Sequence, residues 1–169
     1  RDFTNLSQPP KMTVVEFADF RCPHCRHAAP TLHAFVDAHP DIQFFFLVFP
    51  LDGECNPAIP QKSGLSCRLA SAVFCANEQK QGWQAQKWVF EHQDQYSDRG
   101  SIDQAIGTMV TKLHLNGDQL KTCLESEGTK ESLLTMAKQG VAAQIQGTPA
   151  IFVNGRLLPR GQFLPVLHA

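Results

Sequence analysis

Two cysteines separated by two residues are the part of this sequence best suited to chemistry. Cys22 and Cys25 lie in the stretch FADFRCPHCRHAAP, with Pro23 and His24 between them. Such a pair can bind a metal ion, form a permanent disulfide or exchange electrons with other thiols. The spacing alone allows all three, so the surrounding elements have to decide between them.

The cysteine pair is predicted to lie at the start of a helix. The preceding run KMTVVEFADF is apolar and rich in β-branched residues, which predicts a buried strand. After Cys22, apolar residues recur at helical spacing, and Pro23 suits a first helical turn. Pro30 lies within this pattern and is expected to kink the helix. The buried strand IQFFFLVF follows, so the segment predicts a βαβ unit with parallel strands.

The middle of the chain is predicted to be helical. A Pro- and Gly-rich loop follows the second strand, and from Leu65 to about Gln144 apolar residues form four stripes at helical spacing. The chain then returns to β structure, because Asn154-Gly155 between two apolar runs is a favoured hairpin loop. A short final helix over GQFLPVLHA is also expected.

These segments together predict one α/β domain that is divided along the chain. The last strands must pair with the first ones, so the helical block reads as an insertion. We therefore predict an α/β domain formed by residues 1–62 and 140–169, with an inserted all-helical domain at residues 63–139.

Composition narrows the class of protein. The chain has 169 residues, 18% of them charged, and a net charge of −1, so no basic bias indicates nucleic-acid binding. No apolar run approaches the length of a membrane span. The sequence is compatible with a signal peptide or membrane anchor that was removed before its first residue. The sequence contains six cysteines: Cys22, Cys25, Cys55, Cys67, Cys75 and Cys123. This even count favours an oxidising compartment over several buried free thiols.

The predicted helix start distinguishes the two cysteines chemically. Cys22 lies at the positive end of the helix dipole, which favours its thiolate and lowers its pKa, and a hydrogen bond from the His24 side chain would add to this. Cys25 begins the apolar stripe and is expected to be more buried. This asymmetry suits thiol–disulfide exchange. A permanent disulfide and a metal site made of Cys22, Cys25 and His27 remain as alternatives.

Two motifs far apart in the sequence resemble the DsbA family of thiol–disulfide oxidoreductases. They are EFADFRCPHC, which contains Cys22 and Cys25, and GTPAIFVNG, which contains Thr148-Pro149. The resemblance covers nearly the whole chain. It implies a thioredoxin fold with an inserted all-helical domain, in agreement with the predicted element order.

The resemblance also implies a role for each site residue. Cys22 would be the nucleophile and Cys25 the resolving cysteine. Pro149 would be cis and face the active disulfide, and the backbone of Thr148 would pair with an extended substrate strand. Glu16 falls at the position of the family's buried acid, where it could relay a proton to Cys25; the alternative is an edge carboxylate that reaches solvent.

The remaining cysteines point to a sub-family. The phrase PLDGECN…CRLASAVFCA is similar to DsbA-like domains fused to, or paired with, bacterial vitamin K epoxide reductase homologues. By this resemblance we expect Cys55–Cys67 and Cys75–Cys123 disulfides. Packed free thiols at Cys75 and Cys123 are the alternative.

The sequence therefore favours an oxidase that donates its Cys22–Cys25 disulfide to folding secreted or periplasmic proteins. A membrane quinone-linked partner of the DsbB or VKOR type would reoxidise it. We expect a monomer with no cofactor or metal, located in the periplasm or another extracytoplasmic space, with a membrane tether considered for the full-length protein. The alternatives are a disulfide isomerase or reductase, and a metal-binding chaperone that uses Cys22, Cys25 and His27.

Overall fold

A computed structural model describes residues 9–159. Within them a four-stranded sheet has the order β2-β1-β3-β4. Strand β1 (Met12–Ala18) is central, with β2 (Ile42–Val48) parallel to it on one side and β3 (Ala150–Val153) antiparallel on the other. The short β4 (Arg156–Leu157) pairs with β3. The first and last strands thus form one sheet, which confirms the predicted α/β thioredoxin-like fold.

Helix α1 (Pro23–Ala38) connects β1 to β2 and covers one face of the sheet. It continues through Pro30. Its apolar side buries Leu32 and Val36 against Val14 of the central strand. The predicted βαβ unit is therefore present, and its packing fixes the start of α1 beside the end of β1.

The hairpin between the last two described strands has the predicted loop. Asn154 and Gly155 both have positive φ angles, 49° and 82°, as a two-residue loop matched to the twist of the strands requires. The final helix expected over GQFLPVLHA lies outside the described residues.

The helical block between β2 and β3 contains one more helix than the stripes predict. Stripes match four of its helices, but Trp83, Trp88 and Phe90 form a separate short helix. Trp83 packs edge-on against Phe44 of β2, with ring centroids 5.5 Å apart, so it belongs to the core of the sheet. The described elements are α2 (Leu65–Glu78), α3 (Gly82–Glu91), a 3-10 turn (Gln93–Gln95), α4 (Arg99–Lys112), α5 (Gly117–Leu124) and α6 (Glu127–Ala142).

Helix α6 crosses the predicted domain boundary at residue 140. Ala137 packs with Phe17 and Phe49 on the sheet face opposite α1. At Gly140 the backbone approaches so closely that an added Cβ would lie 2.5 Å from a ring carbon of Phe49. The end of α6 thus covers the second face of the sheet, and the division into residues 63–139 and the rest stays a prediction.

One disulfide ties the helical block to the loop before it, and a second joins two helices within the block. One joins Cys55 in the loop after β2 to Cys67 in the first turn of α2, and the other joins Cys75 of α2 to Cys123 of α5. These are the two pairs that the resemblance implied. No helix in residues 9–159 is long and apolar enough to cross a membrane.

Candidate active site

Cys22 and Cys25 lie at the start of α1, as the sequence predicts. Cys22 is the last residue before the helix, in an extended conformation, and Pro23 is its first helical residue. Both cysteines carry free thiols and are buried, with 6% of Cys22 and none of Cys25 exposed. Pro23 and His24 are exposed. The cysteine that keeps some exposure is therefore the one at the helix end.

Hydrogen bonding lowers the pKa of Cys22 to about 5. The largest cause is the hydrogen bond from the Cys25 thiol; the Thr148 hydroxyl and the backbone N–H groups of Cys25 and His24 add to it, and burial opposes it. His24 therefore acts here through its backbone N–H, and not through the side chain for which this role was predicted. The same bond raises the pKa of Cys25, because its proton is held by the Cys22 sulfur and because the group is buried.

Thr148 and Pro149 lie directly across from Cys22. The Thr148–Pro149 peptide bond is cis. The Cys22 Sγ atom lies 3.6 Å from the Thr148 carbonyl oxygen, and the buried Thr148 hydroxyl has no hydrogen-bond partner within residues 9–159, which leaves it available to donate to the Cys22 sulfur once the thiolate forms. The two motifs meet because β3 starts at Ala150, which is paired with Phe17 of the central strand.

Glu16 is a buried carboxyl group in the central strand. Its neighbours in register are Phe46 of β2 and Ile151 of β3, so the alternative of an edge position reaching solvent does not apply. The side chain is 1% exposed, and neither oxygen finds a hydrogen-bond partner in the described part of the chain. Burial, with a smaller contribution from the Cys22 thiolate, raises the pKa of Glu16 to about 8. Glu16 is therefore mostly uncharged at neutral pH.

Two residues near the thiols carried no role in the sequence analysis. Asp19 lies between β1 and Cys22 and is 3% exposed. Gln93, in the 3-10 turn of the helical block, donates its side-chain amide to the carbonyl oxygens of Phe20 (2.8 Å) and Cys22 (3.0 Å). An aspartate just before a C-x-x-C pair could have been noticed in the sequence, but the bonds from Gln93 cross more than 70 residues and leave no local signal.

The geometry of a metal site is not seen around the cysteine pair. Within residues 9–159 no group of three or more His, Cys, Asp and Glu side chains is arranged to hold a metal ion. His27, the third ligand considered for such a site, is exposed, whereas Cys25 is fully buried.

The site thus has a low-pKa cysteine at a helix start, facing a Thr–cis-Pro loop. Comparison with known families finds a match for the chain that carries it. Residues 13–168 match the family described as DSBA-like thioredoxin domain. The chain belongs to this family. This confirms the resemblance inferred from the CPHC and Thr-Pro motifs.

Curated relatives are longer than this chain. It is 25% identical over 156 residues to the Na(+)/H(+) antiporter NhaA 3 of Salinispora tropica, covering 92% of this chain and 22% of that protein. It is also 25% identical over 151 residues to the probable disulfide bond formation protein D of Bacillus anthracis, covering 85% of this chain and 65% of that protein. The chain thus spans less than two thirds of each.

Solved structures share the fold. A thioredoxin-like oxidoreductase from Silicibacter pomeroyi superposes with a TM-score of 0.71 at 21% identity, covering 94% of this chain and 86% of that one. The alpha-DsbA1 of Wolbachia pipientis gives a TM-score of 0.75 at 17% identity, covering 97% and 87%. Both superpositions include the helical block as well as the sheet.

Proposed function

We propose that this chain is a thiol–disulfide oxidase that donates the Cys22–Cys25 disulfide to other proteins. The observation that carries the proposal is the asymmetry of the two thiols, because the pKa of Cys22 falls to about 5 and that of Cys25 rises. A stabilised Cys22 thiolate stabilises the reduced protein, which makes its disulfide a stronger oxidant.

The reaction takes place in two exchange steps. A substrate thiolate attacks the Cys22 sulfur of the oxidised protein; the Cys22–Cys25 bond breaks, and Cys25 leaves with the electron pair and takes up a proton. A second substrate thiolate then attacks the substrate sulfur of the mixed disulfide, and Cys22 leaves as a thiolate. Two electrons pass from the substrate to the protein, and the substrate gains a disulfide.

The Thr148 backbone is well placed to orient the substrate. Its carbonyl oxygen lies 3.6 Å from the sulfur that is attacked. An extended peptide that pairs with this backbone by strand addition would bring its own cysteine next to Cys22. Glu16, buried on the central strand below the thiols, would exchange the proton that Cys25 takes up or releases.

In this proposal a membrane partner of the DsbB or VKOR type reoxidises the protein. The protein is located in the periplasm or another extracytoplasmic space. The two disulfides away from the active site suit an oxidising compartment. One relative bears the name of disulfide bond formation. Another bears the name of an antiporter and is far longer than this chain, which supports a membrane tether in the full-length protein.

Two measurements test the proposal. Equilibration with glutathione gives the redox potential, which we expect nearer to the value of about −120 mV for DsbA itself than to about −270 mV for thioredoxin. The oxidised protein should also form disulfides in reduced, unfolded ribonuclease. Cys22→Ser is the inactive control. Cys25→Ser should accumulate the mixed disulfide when it is mixed with oxidised ribonuclease, because its Cys22 thiolate attacks a substrate disulfide and no Cys25 thiol is present to resolve the product. A thioredoxin-like potential would instead support a reductase.

The other activities considered from the sequence have their own tests. An isomerase would restore activity to scrambled ribonuclease when added in its reduced form, which we expect this chain to do poorly. A metal-binding chaperone would retain metal in stoichiometric amount after purification in the reduced state, and His27→Ala would release it.

A further inference from the structure

The Asp19 carboxyl group is buried where the end of β1 meets the start of α2 and the loop after β2. It follows β1 and precedes Cys22 by three residues, and only 3% of the side chain is exposed. The side chain is hydrogen-bonded to Ser66, at the start of α2, and to the backbone of Arg21 and Leu51. Its Oδ1 atom is nevertheless buried without a hydrogen-bond partner in the range 9–159. A carboxyl oxygen left in this state disfavours the charged form of the group.

The backbone of Asp19 contacts both reactive cysteines. Its carbonyl oxygen accepts the Cys22 N–H at 3.1 Å, which shapes the turn before α1. A backbone hydrogen bond from Asp19 reaches the Cys25 sulfur and favours its thiolate. The main chain of Asp19 is therefore held beside the two cysteines.

Charge couples the same carboxyl group to Cys22. Burial is the main reason that the pKa of Asp19 rises to about 6, and the Cys22 thiolate raises it further, whereas the hydrogen bonds from Ser66, Arg21 and Leu51 oppose the rise. Glu16 responds to the same thiolate from β1. Glu16 stays mostly neutral below pH 7, so between pH 5 and pH 7 Asp19 is the acid whose charge changes.

We propose that Asp19 is a second buried acid of the active site, which takes up a fraction of a proton when Cys22 becomes a thiolate and releases it when the disulfide re-forms. It is a positioning and charge-tuning residue, since no bond to sulfur forms or breaks at its carboxyl group. The inference rests on the proposed function only for its role in turnover; the coupling itself requires only the two redox states.

The proton balance of reduction follows from this. Oxidation of a substrate dithiol releases two protons and passes two electrons to the Cys22–Cys25 disulfide. One proton goes to the Cys25 sulfur. Asp19 binds a fraction of the second proton, because the new negative charge on Cys22 favours the neutral carboxyl group. The rest of the second proton enters solvent. Above the titration range Asp19 stays charged and opposes the Cys22 thiolate.

The direct test needs no variant. The Asp19 side-chain carboxyl is labelled with ¹³C and titrated by NMR in the oxidised protein and in protein reduced by glutathione, after mass mapping has shown that the Cys55–Cys67 and Cys75–Cys123 disulfides are intact. The titration midpoint is expected to be higher in the reduced protein. Equal midpoints in the two states would overturn the inference, whether or not the protein proves to be an oxidase.

A variant series tests the same coupling by its pH profile. Asp19→Asn keeps the shape of the side chain and removes its charge. The measured quantity is the variant's equilibrium constant with glutathione divided by that of the wild type. Between pH 5 and pH 7.5 this ratio should shift towards the reduced protein by roughly three- to tenfold, which corresponds to a like-charge coupling of half to one pKa unit. A ratio that does not change with pH would show a merely structural role and overturn the inference.

Asp94→Asn is the matched control for loss of a negative charge near the site. Asp94 is exposed and pairs with Arg26 of α1 at 2.6 Å. Solvent screens its charge, so its ratio to wild type should stay constant from pH 5 to pH 7.5. A profile for this control that equals the Asp19→Asn profile would assign the effect to general charge and contradict the inference.

Discussion

The Sγ atom of Cys22 lies 3.6 Å from the carbonyl oxygen of Thr148, although 126 residues separate them in the sequence. Both residues flank paired strands, since Cys22 follows β1 and Thr148 precedes β3. The pairing of Phe17 with Ala150 brings these strand ends together. The sheet register therefore sets the distance between the reactive sulfur and the loop assigned to substrate.

Removal of the Thr148 hydroxyl should raise the pKa of Cys22. The hydroxyl favours the thiolate, so Thr148→Val, which keeps the side-chain shape, removes a donor from the site. We expect an increase of up to about one unit, because several other donors remain. The measurement is the pH dependence of thiolate absorbance at 240 nm. Thr148→Ser, which keeps the hydroxyl, is the control, and an equal shift for Ser and Val would contradict the explanation.

The Cys25 thiol and the His24 side chain should differ in their effect on Cys22. Cys25→Ala removes the largest cause of the low pKa and should raise the pKa of Cys22 by more than about one unit. His24→Ala keeps the backbone N–H and should have a smaller effect. Alkylation rates against pH report both values. A larger shift for His24→Ala would return the main role to the imidazole, as the sequence analysis expected.

Glu16→Gln should stabilise the oxidised protein at alkaline pH. Burial alone holds the folded-state pKa of Glu16 above its unfolded value in the oxidised protein, where the Cys22 thiolate is absent, so the wild type has its full stability below the unfolded pKa and loses stability as pH rises through the folded pKa. The gain of the variant over wild type should thus grow as pH rises from 4.5 towards 8 and reach a few kcal/mol. Urea unfolding at several pH values measures it, and a gain independent of pH would show that Glu16 is not buried as an acid.

The two structural disulfides should contribute unequally to stability. They close loops with sequence separations of 48 for Cys75–Cys123 and 12 for Cys55–Cys67. Loop entropy gives about 4 kcal/mol for the longer loop and about 3 kcal/mol for the shorter one. Chemical unfolding of the two double alanine variants compares them. A greater loss for the Cys55 and Cys67 pair would indicate that native contacts of the loop, and not chain entropy, dominate.

Gln93 should couple the helical block to the active-site turn. Gln93→Glu keeps the size of the side chain but removes the donors to the carbonyl oxygens of Phe20 and Cys22. We expect a loss of about 1–3 kcal/mol in the free energy of unfolding, with faster amide hydrogen exchange around residue 22. Gln95→Glu, in the same turn, is the control. Equal effects of the two variants would contradict a specific role for Gln93.

Local patterns predicted the fold well where a residue's neighbours in sequence decide its conformation. Strand β1, helix α1 and the Asn154-Gly155 loop all follow from periodicity and turn chemistry. Helix α3 was missed because it is short and its aromatic residues pack on separate partners, Trp83 on the sheet and Phe90 in the helical core.

The candidate site was predicted where a motif carries it and missed where distant contacts create it. The cysteine pair and Thr148-Pro149 are visible in the sequence. The burial of Asp19 depends on Ser66 and Leu51, which come from other segments. The contribution of the His24 backbone is fixed by how α1 begins and not by the side-chain type, so sequence reasoning assigned it to the imidazole.

The close approach of Gly140 to Phe49 bears on how this architecture can be recombined. Any side chain at position 140 would collide with the phenylalanine ring unless α6 moved off the sheet. A chimera that grafts helices α2 to α6 of this chain onto the sheet of another thioredoxin-like protein must therefore transfer Phe49 together with Gly140, although Phe49 precedes the grafted segment. These helices are contiguous in sequence, yet they cannot be exchanged between proteins without the residue they pack against.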